Sequence, residues 1–290
     1  MSLDLIFEAI SSGRCLAFLG SGASTTFKDP SGKEVPGLPT GGELAEALAT
    51  RCGYTNGRAY DLAKVAEYFL YRKSGDRTEL ERVVRENVPV ACPPRPIHTV
   101  LAQLSQLRVV ITTNYDKLLE HEIDRYGRLL TRHVHDQRDS KTGHFQGTVF
   151  FGENSKEIIL HKMHGTIEDP GTMIITESDY IRYLAQLTNA DQGMPEYFRK
   201  TIIPQFTLLF LGYSLSDWNF RVIWEGVLSS YPVTSSAKWS YALVKDAQPF
   251  TTTYWSAKRI QVIGHDLTDF AVALARQFNL EIPQLGMTKP

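Results

Sequence analysis

Cysteine is scarce in this chain. Three among 290 residues, Cys15, Cys52 and Cys92, stand far apart with no CxxC pair. Their number and spacing rule out a four-cysteine zinc site and argue against a disulfide framework. No apolar run approaches the roughly 20 residues that cross a bilayer. The first residues, Met1-Ser2-Leu3-Asp4-Leu5-Ile6-Phe7, are acidic and helical in pattern, unlike a signal peptide. Neither sign of charge is in excess: 31 Lys and Arg against 32 Asp and Glu leave a net charge of −1. Broad attraction to nucleic acid or to a membrane surface therefore has no support. There is no internal repeat and no low-complexity segment. These absences predict a cytoplasmic protein without a bound metal, a membrane or a direct nucleic-acid partner. At roughly 100–200 residues per domain, the length suits one large domain with a sizeable insertion.

One stretch organises what is present. The apolar run Cys15-Leu16-Ala17-Phe18-Leu19 ends in Gly20-Ser21-Gly22-Ala23-Ser24. A parallel strand covered by helices on both faces needs such a run. The glycines permit backbone angles closed to other residues and let a ligand come close to the main chain. A helix starting near Ser24 would point free N–H groups and a positive dipole end at the space over the loop, which suits a phosphate. No third glycine completes a dinucleotide fingerprint and no P-loop lysine follows, so a plain tight turn fits these residues equally well.

Further strands are predicted at 108–112, 147–151, 157–161, 207–211, 239–244 and 260–263. Helical spacing marks 3–12, 41–52, 58–73, 77–87, 96–106, 177–188, 195–203, 249–258 and 267–279, with helices also after Asp116 and around Phe220-Trp224. Thr40 and Glu43 fit a capping box at the start of 41–52. Residues 27–38 are rich in Pro, Gly and charge and read as an exposed loop. Strands alternating with helices predict an α/β, doubly wound, mostly parallel sheet. The helices within about 41–106 have no strand between them and form a helical insertion.

Three strong runs end at their carboxyl side in small or polar residues: Gly20-Ser21-Gly22, Thr113-Asn114-Tyr115-Asp116 and Gly212-Tyr213-Ser214. Ligands of open α/β sheets bind at that edge. A fourth run leads to His164-Gly165. Each residue also has an ordinary structural reading. Asn114, Asp116 and Asp217 suit helix caps. His161 and His164, three apart on one strand, would face opposite ways and make poor joint metal ligands. His133 and His135 would share a face but lack a third ligand. Gly212-Tyr213-Ser214-Leu215-Ser216 approximates a hydrolase nucleophile elbow, with Asp246 or Asp266 and His265 downstream.

In their order, these motifs resemble the sirtuin superfamily in its bacterial SIR2-like branch. Gly20-Ser21-Gly22-Ala23-Ser24 is similar to the family's Gly-Ala-Gly-x-Ser, and Thr112-Thr113-Asn114-Tyr115-Asp116 to its Thr-Gln-Asn-x-Asp. His164-Gly165 matches its His-Gly, and Gly212-Tyr213-Ser214-Leu215 its Gly-Thr-Ser-Leu. The matches span about two-thirds of the chain. The two cysteine pairs of the deacylase zinc module are missing, and Gly37-Leu38-Pro39-Thr40-Gly41-Gly42 replaces the family's Gly-Ile-Pro-x-Phe-Arg. The chain thus resembles the effectors of anti-phage systems that hydrolyse NAD, rather than protein deacylases.

The resemblance implies one Rossmann-like domain over 1–290, with NAD as substrate and no metal. It implies Asn114 and His164 as catalytic residues, Asn114 orienting the ribose or a water and His164 acting as base. Gly20, Ser21, Gly22, Ala23 and Ser24 would hold the pyrophosphate. Thr113, Asp116, Gly212, Ser214 and Asp217 complete the binding set, with Ser214 and Asp217 at the adenosine side. It further implies a homo-oligomer that works with a partner such as a HerA-type ATPase. The readings kept beside it are a non-catalytic nucleotide-binding or assembly module, a deacylase and a serine hydrolase.

Overall fold

The computed structural model describes residues 3–29, 31–55, 61–72, 75–138, 157–188, 202–215, 220–221, 224–225 and 239–281. Its centre is strand β1 (Cys15–Leu19), buried along its whole length as the apolar run requires. In chain order there follow a two-stranded hairpin, β2 (Phe27–Lys28) and β3 (Glu34–Val35), then β4 (Val109–Thr112), β5 (Leu129–Val134), β6 (Glu157–Lys162), β7 (Thr207–Leu211), β8 (Ser240–Leu243) and β9 (Ile260–Ile263). The main sheet has seven strands in the order β5-β6-β4-β1-β7-β8-β9, every neighbouring pair parallel. β1 lies between β4 and β7, in register from Ala17 opposite Val110 and from Cys15 opposite Thr207.

Alternation along the strands divides the core into two layers. Ala17, Leu19, Val110, Leu209 and Leu211 pack under helices α1 (Asp4–Ser11), α5 (Pro96–Gln103), α6 (Leu118–Arg125) and α9 (Leu267–Gln277). Leu16, Phe18, Val109, Ile111 and Phe210 face the other side, against α7 (Glu177–Thr188) and α8 (Pro249–Ala257). A third apolar cluster joins α2 (Gly41–Cys52), α3 (Leu62–Arg72) and α4 (Arg77–Asn87), all between β3 and β4 in the chain.

The capping box opens α2 as its sequence predicts: Glu43 N–H donates to Thr40 Oγ1 at 3.2 Å, and Thr40 N–H to Glu43 Oε2 at 2.7 Å. The stretch expected as an exposed loop carries a short antiparallel pairing of Phe27 with Val35 and Lys28 with Glu34. Asp29 Oδ1 accepts from the Ser31 and Lys33 N–H groups and closes the β2–β3 hairpin. The expected strand at 147–151, most of the expected helix at 195–203 and the site residue Asp217 lie outside the described residues.

Candidate active site

Three strand ends meet where the chain changes direction across the sheet: after β1 it passes to β4 on one side, and after β6 it returns to β7 on the other. Such a switch point opens a crevice at the carboxyl ends of the strands. Here the backbones come so close that side chains are excluded. A Cβ on Gly20 would sit 2.7 Å from Gly212 O; one on Gly212, whose φ is +76°, would sit 2.3 Å from Ala23 N. Gly20 N–H donates to Leu211 O at 2.9 Å and Gly22 N–H to Gly212 O at 3.0 Å.

These glycines answer first to backbone packed on backbone. Ala23 and Ser24 N–H donate to Gly20 and Ser21 oxygens, closing a single 3-10 turn over Ser21–Ala23. No α-helix begins at Ser24, since the next starts at Gly41. The expected helix terminus over the loop is therefore replaced by this turn, and four of the amides of Gly20–Ser24 are already engaged. An anion here would meet the Ser21 amide and nearby hydroxyls instead.

The turn after β4 is tied directly to that loop. Asn114 Nδ2 donates to Gly20 O at 3.0 Å and to Ser24 Oγ at 3.3 Å. Ser24 Oγ, 2% exposed, donates in turn to Asp116 Oδ2 at 2.9 Å. Because that hydroxyl gives its one proton to a carboxylate, it must accept from Asn114, which fixes the orientation of the amide. Asn114 Oδ1 is left as an acceptor without a partner among the described residues. Asp116 Oδ1 also accepts from Leu118 N–H at 3.0 Å, so one carboxylate oxygen caps α6 while the other holds Ser24. Thr113 Oγ1 donates to Tyr213 OH at 3.2 Å, and that hydroxyl donates to Leu19 O at 3.0 Å.

His164 stands in the turn after β6, which ends at Lys162, so it does not share a strand with His161. Met163 N–H extends the ladder to Thr112 O at 2.8 Å, and Ile174 N–H donates to His164 O at 3.1 Å. Gly165, at φ +83°, has Thr172 O where a Cβ would go, 2.3 Å away. The imidazole meets Tyr180 and Tyr183 edge-on. Burial lowers its pKa to about 3, so it stays neutral at ordinary pH.

Ser21, Gly22, Ser24, Thr113, Asn114, Asp116, His164, Gly212 and Ser214 all line one cavity of about 980 Å³. Gly20 supplies a backbone acceptor in its wall, and Ala23 lines a second cavity of about 920 Å³. The two cavities share Gly22, Thr25, Thr26, Lys245, His265, Asp266 and Leu267. Two of the residues that the elbow reading of Ser214 placed downstream, Asp266 and His265, are engaged with the start of α9. Asp266 caps α9 through Thr268 N–H and pairs with Lys245, while His265 Nδ1 donates to the Asp266 backbone oxygen.

Three contributors have no periodic signal in the sequence. Arg95, buried before α5, donates through Nη2 to Pro36 O and through Nε to Ser24 O at 3.4 Å, with its guanidinium over Phe27. It pins the segment leading out of the glycine loop. His98 accepts from Arg95 N–H at 3.1 Å; burial pushes it down to about 4 against the field of Asp116. Tyr213 fills the space over Gly20. The only hint in the sequence is that a tyrosine stands where the similar motif has threonine.

The SIR2-like domain family matches residues 108–263, more than half of the chain. The protein belongs to that family. Among its relatives, the NAD(+) hydrolase ThsA of Enterococcus faecium is 28% identical over 219 residues, covering 74% of this chain and 40% of the relative. ThsA of Acinetobacter baumannii is 27% identical, over 76% of this SIR2-like chain and 40% of that protein. Defense-associated sirtuin 2 of Bacillus subtilis is 24% identical, over 75% of this chain and 20% of its own length. The matched region is thus well under half of each of these relatives.

Proposed function

We propose that the cavity binds NAD and hydrolyses its nicotinamide–ribosyl bond to nicotinamide and ADP-ribose. What carries this reading is the meeting, in one SIR2-like cavity, of the Asn114–Ser24–Asp116 network with a buried neutral His164. The names of the ThsA relatives support the same chemistry. The leaving group is already a pyridinium and needs no acid, while the transition state is oxocarbenium-like, as in glycoside cleavage. The C1′–N bond breaks with its electron pair going to nicotinamide. A water oxygen bonds to C1′, and one proton is released.

In this scheme Asn114 Oδ1 accepts from the attacking water or a ribose hydroxyl, and His164 takes the proton. Asp116 holds Ser24 and thereby the loop. Gly20–Ser24 lies along the pyrophosphate with Thr113 and Gly212 beside it, and Ser214 and Asp217 bound the adenosine side. No metal enters the scheme.

The biological reading is anti-phage defence by NAD depletion in the cytoplasm. Since uncontrolled loss of NAD harms the cell, the activity is gated. Assembly as a homo-oligomer, with a HerA-type ATPase or another defence protein, is the proposed trigger, and the 27–38 hairpin is the proposed gate. Residues 1–290 act as one domain, with 41–106 as its helical insertion. The test is nicotinamide release from NAD, with the protein alone and with products of neighbouring genes. Asn114→Ala and His164→Ala should each abolish release and leave the fold intact; wild-type rates in both would overturn the assignment.

A further inference from the structure

Behind His164 lies a group of buried polar atoms that hydrolysis as described does not use. Tyr183, on α7 and 1% exposed, packs its ring edge-on against both His164, at 5.5 Å between centroids, and His135, at 4.9 Å. His135 follows β5 and is held there by its N–H bond to Lys162 O at 2.9 Å. Tyr183 OH and His164 Nε2 are sealed from solvent with no hydrogen-bond partner among the described residues, while His135, whose Nε2 is likewise sealed, has Gln186 on the same helix as its hydrogen-bonding neighbour. Such an atom is costly to bury if nothing meets it. Native interiors satisfy such groups with ordered water. Beyond His135, the partly exposed His133 joins His161 through their Nδ1 atoms at 2.7 Å.

We propose that Tyr183 and His135, bridged by water, form a proton exit from His164 toward the His133–His161 pair and solvent. The proposal rests on the hydrolytic reading, in which each turnover leaves on His164 the proton lost by the attacking water. A dinucleotide filling the cavity covers the front of His164; the polar atoms behind it offer the other way out. Grotthuss-type transfer through a hydroxyl and an imidazole conserves charge, since each group accepts one proton as it gives another. Tyr183 and His135 are therefore relay residues and never touch the substrate.

Tyr183→Phe keeps the ring packing and removes only the hydroxyl. It should lower kcat about tenfold or more, leave KM unchanged, and raise the solvent deuterium isotope effect on kcat. His135→Gln should do the same. In imidazole ¹⁵N spectra of the unliganded protein, Tyr183→Phe should move the resonances of both His164 and His135. Wild-type kcat and isotope effect in a well-folded Tyr183→Phe variant, or unmoved resonances, would overturn the relay alone. A wild-type protein that releases no nicotinamide under any condition removes the hydrolytic reading, and the relay with it.

Discussion

Ser24 Oγ donates to Asp116 Oδ2 at 2.9 Å, joining the glycine turn after β1 to the turn after β4. The same hydroxyl accepts from Asn114, so one small side chain aligns both halves of the site. Ser24→Ala should therefore cut kcat about tenfold while costing only about 1 kcal/mol of stability, the usual worth of one hydrogen bond. Asp116→Ala also removes the acceptor for Leu118 N–H, which adds about 1 kcal/mol as the loss of a cap does. Nicotinamide release and urea midpoints on the two variants separate alignment from stability. Equal activity in Ser24→Ala and wild type would show that Asn114 is held by Gly20 O alone.

The close approach of Gly212 to the first loop makes a sharper prediction about folding. A methyl at Gly212 would combine a left-handed backbone with a contact 2.3 Å from Ala23 N. Gly212→Ala should cost roughly 2–4 kcal/mol, strain and overpacking acting together. The control is Gly264→Ala, where the added Cβ would lie 3.8 Å from Lys245 O, an ordinary contact. Thermal melts of the pair check this, with the control expected within about 0.5 kcal/mol of wild type.

How much of this was legible beforehand follows from burial. β1 and β7 are buried at every position and apolar throughout save for Thr207 at the start of β7, so their extents can be read directly from the residues. β5 is an edge strand with exposed Leu129 and Arg132, and its pattern names no clear strand. The motif residues at the strand ends converge because the topology brings those ends together. Arg95 and Lys162 are buried polar groups set by partners far along the chain, and no local periodicity marks such a group. The spacing argument for His161 and His164 assumed one continuous strand, whereas β6 stops between them.

Lys162 is the clearest of these long-range groups. Fully buried, it donates to Glu120 Oε1 at 2.9 Å, to Tyr115 O at 3.3 Å and to Asp116 O, beneath the turn that carries Asn114. Removing one member of a buried pair leaves the other charge uncompensated, at about 3–5 kcal/mol. Lys162→Met should approach that loss, softened only by Arg132, whose Nη1 stands 3.9 Å from Glu120. The double variant Lys162→Met with Glu120→Gln should recover a large part of it. A chemical-denaturation cycle over the two sites measures the coupling, and additive losses would sink the pairing argument.

Acid should weaken the fold earlier than its carboxylates dictate. Burial lowers His98 and His135 to about 4 and His164 to about 3, and holds His161 well below its ordinary value of 6.5. The sign follows from linkage: the unfolded chain binds protons at these histidines first, so folding stability is complete above about pH 6.5 and falls as pH drops toward the folded values. Each histidine contributes a slope of up to about 1.4 kcal/mol per pH unit in that window. Asp179 acts lower. Burial raises its pKa, but the Arg77 charge and the Thr176 and Ile175 N–H groups outweigh it, so its contribution is lost only as pH falls below the ordinary carboxylate range. Urea midpoints between pH 7.5 and 5 should therefore decline steeply in the wild type. His98→Gln and His135→Gln should each flatten the decline; a slope unchanged in both would mean that these rings do not take up their protons on unfolding.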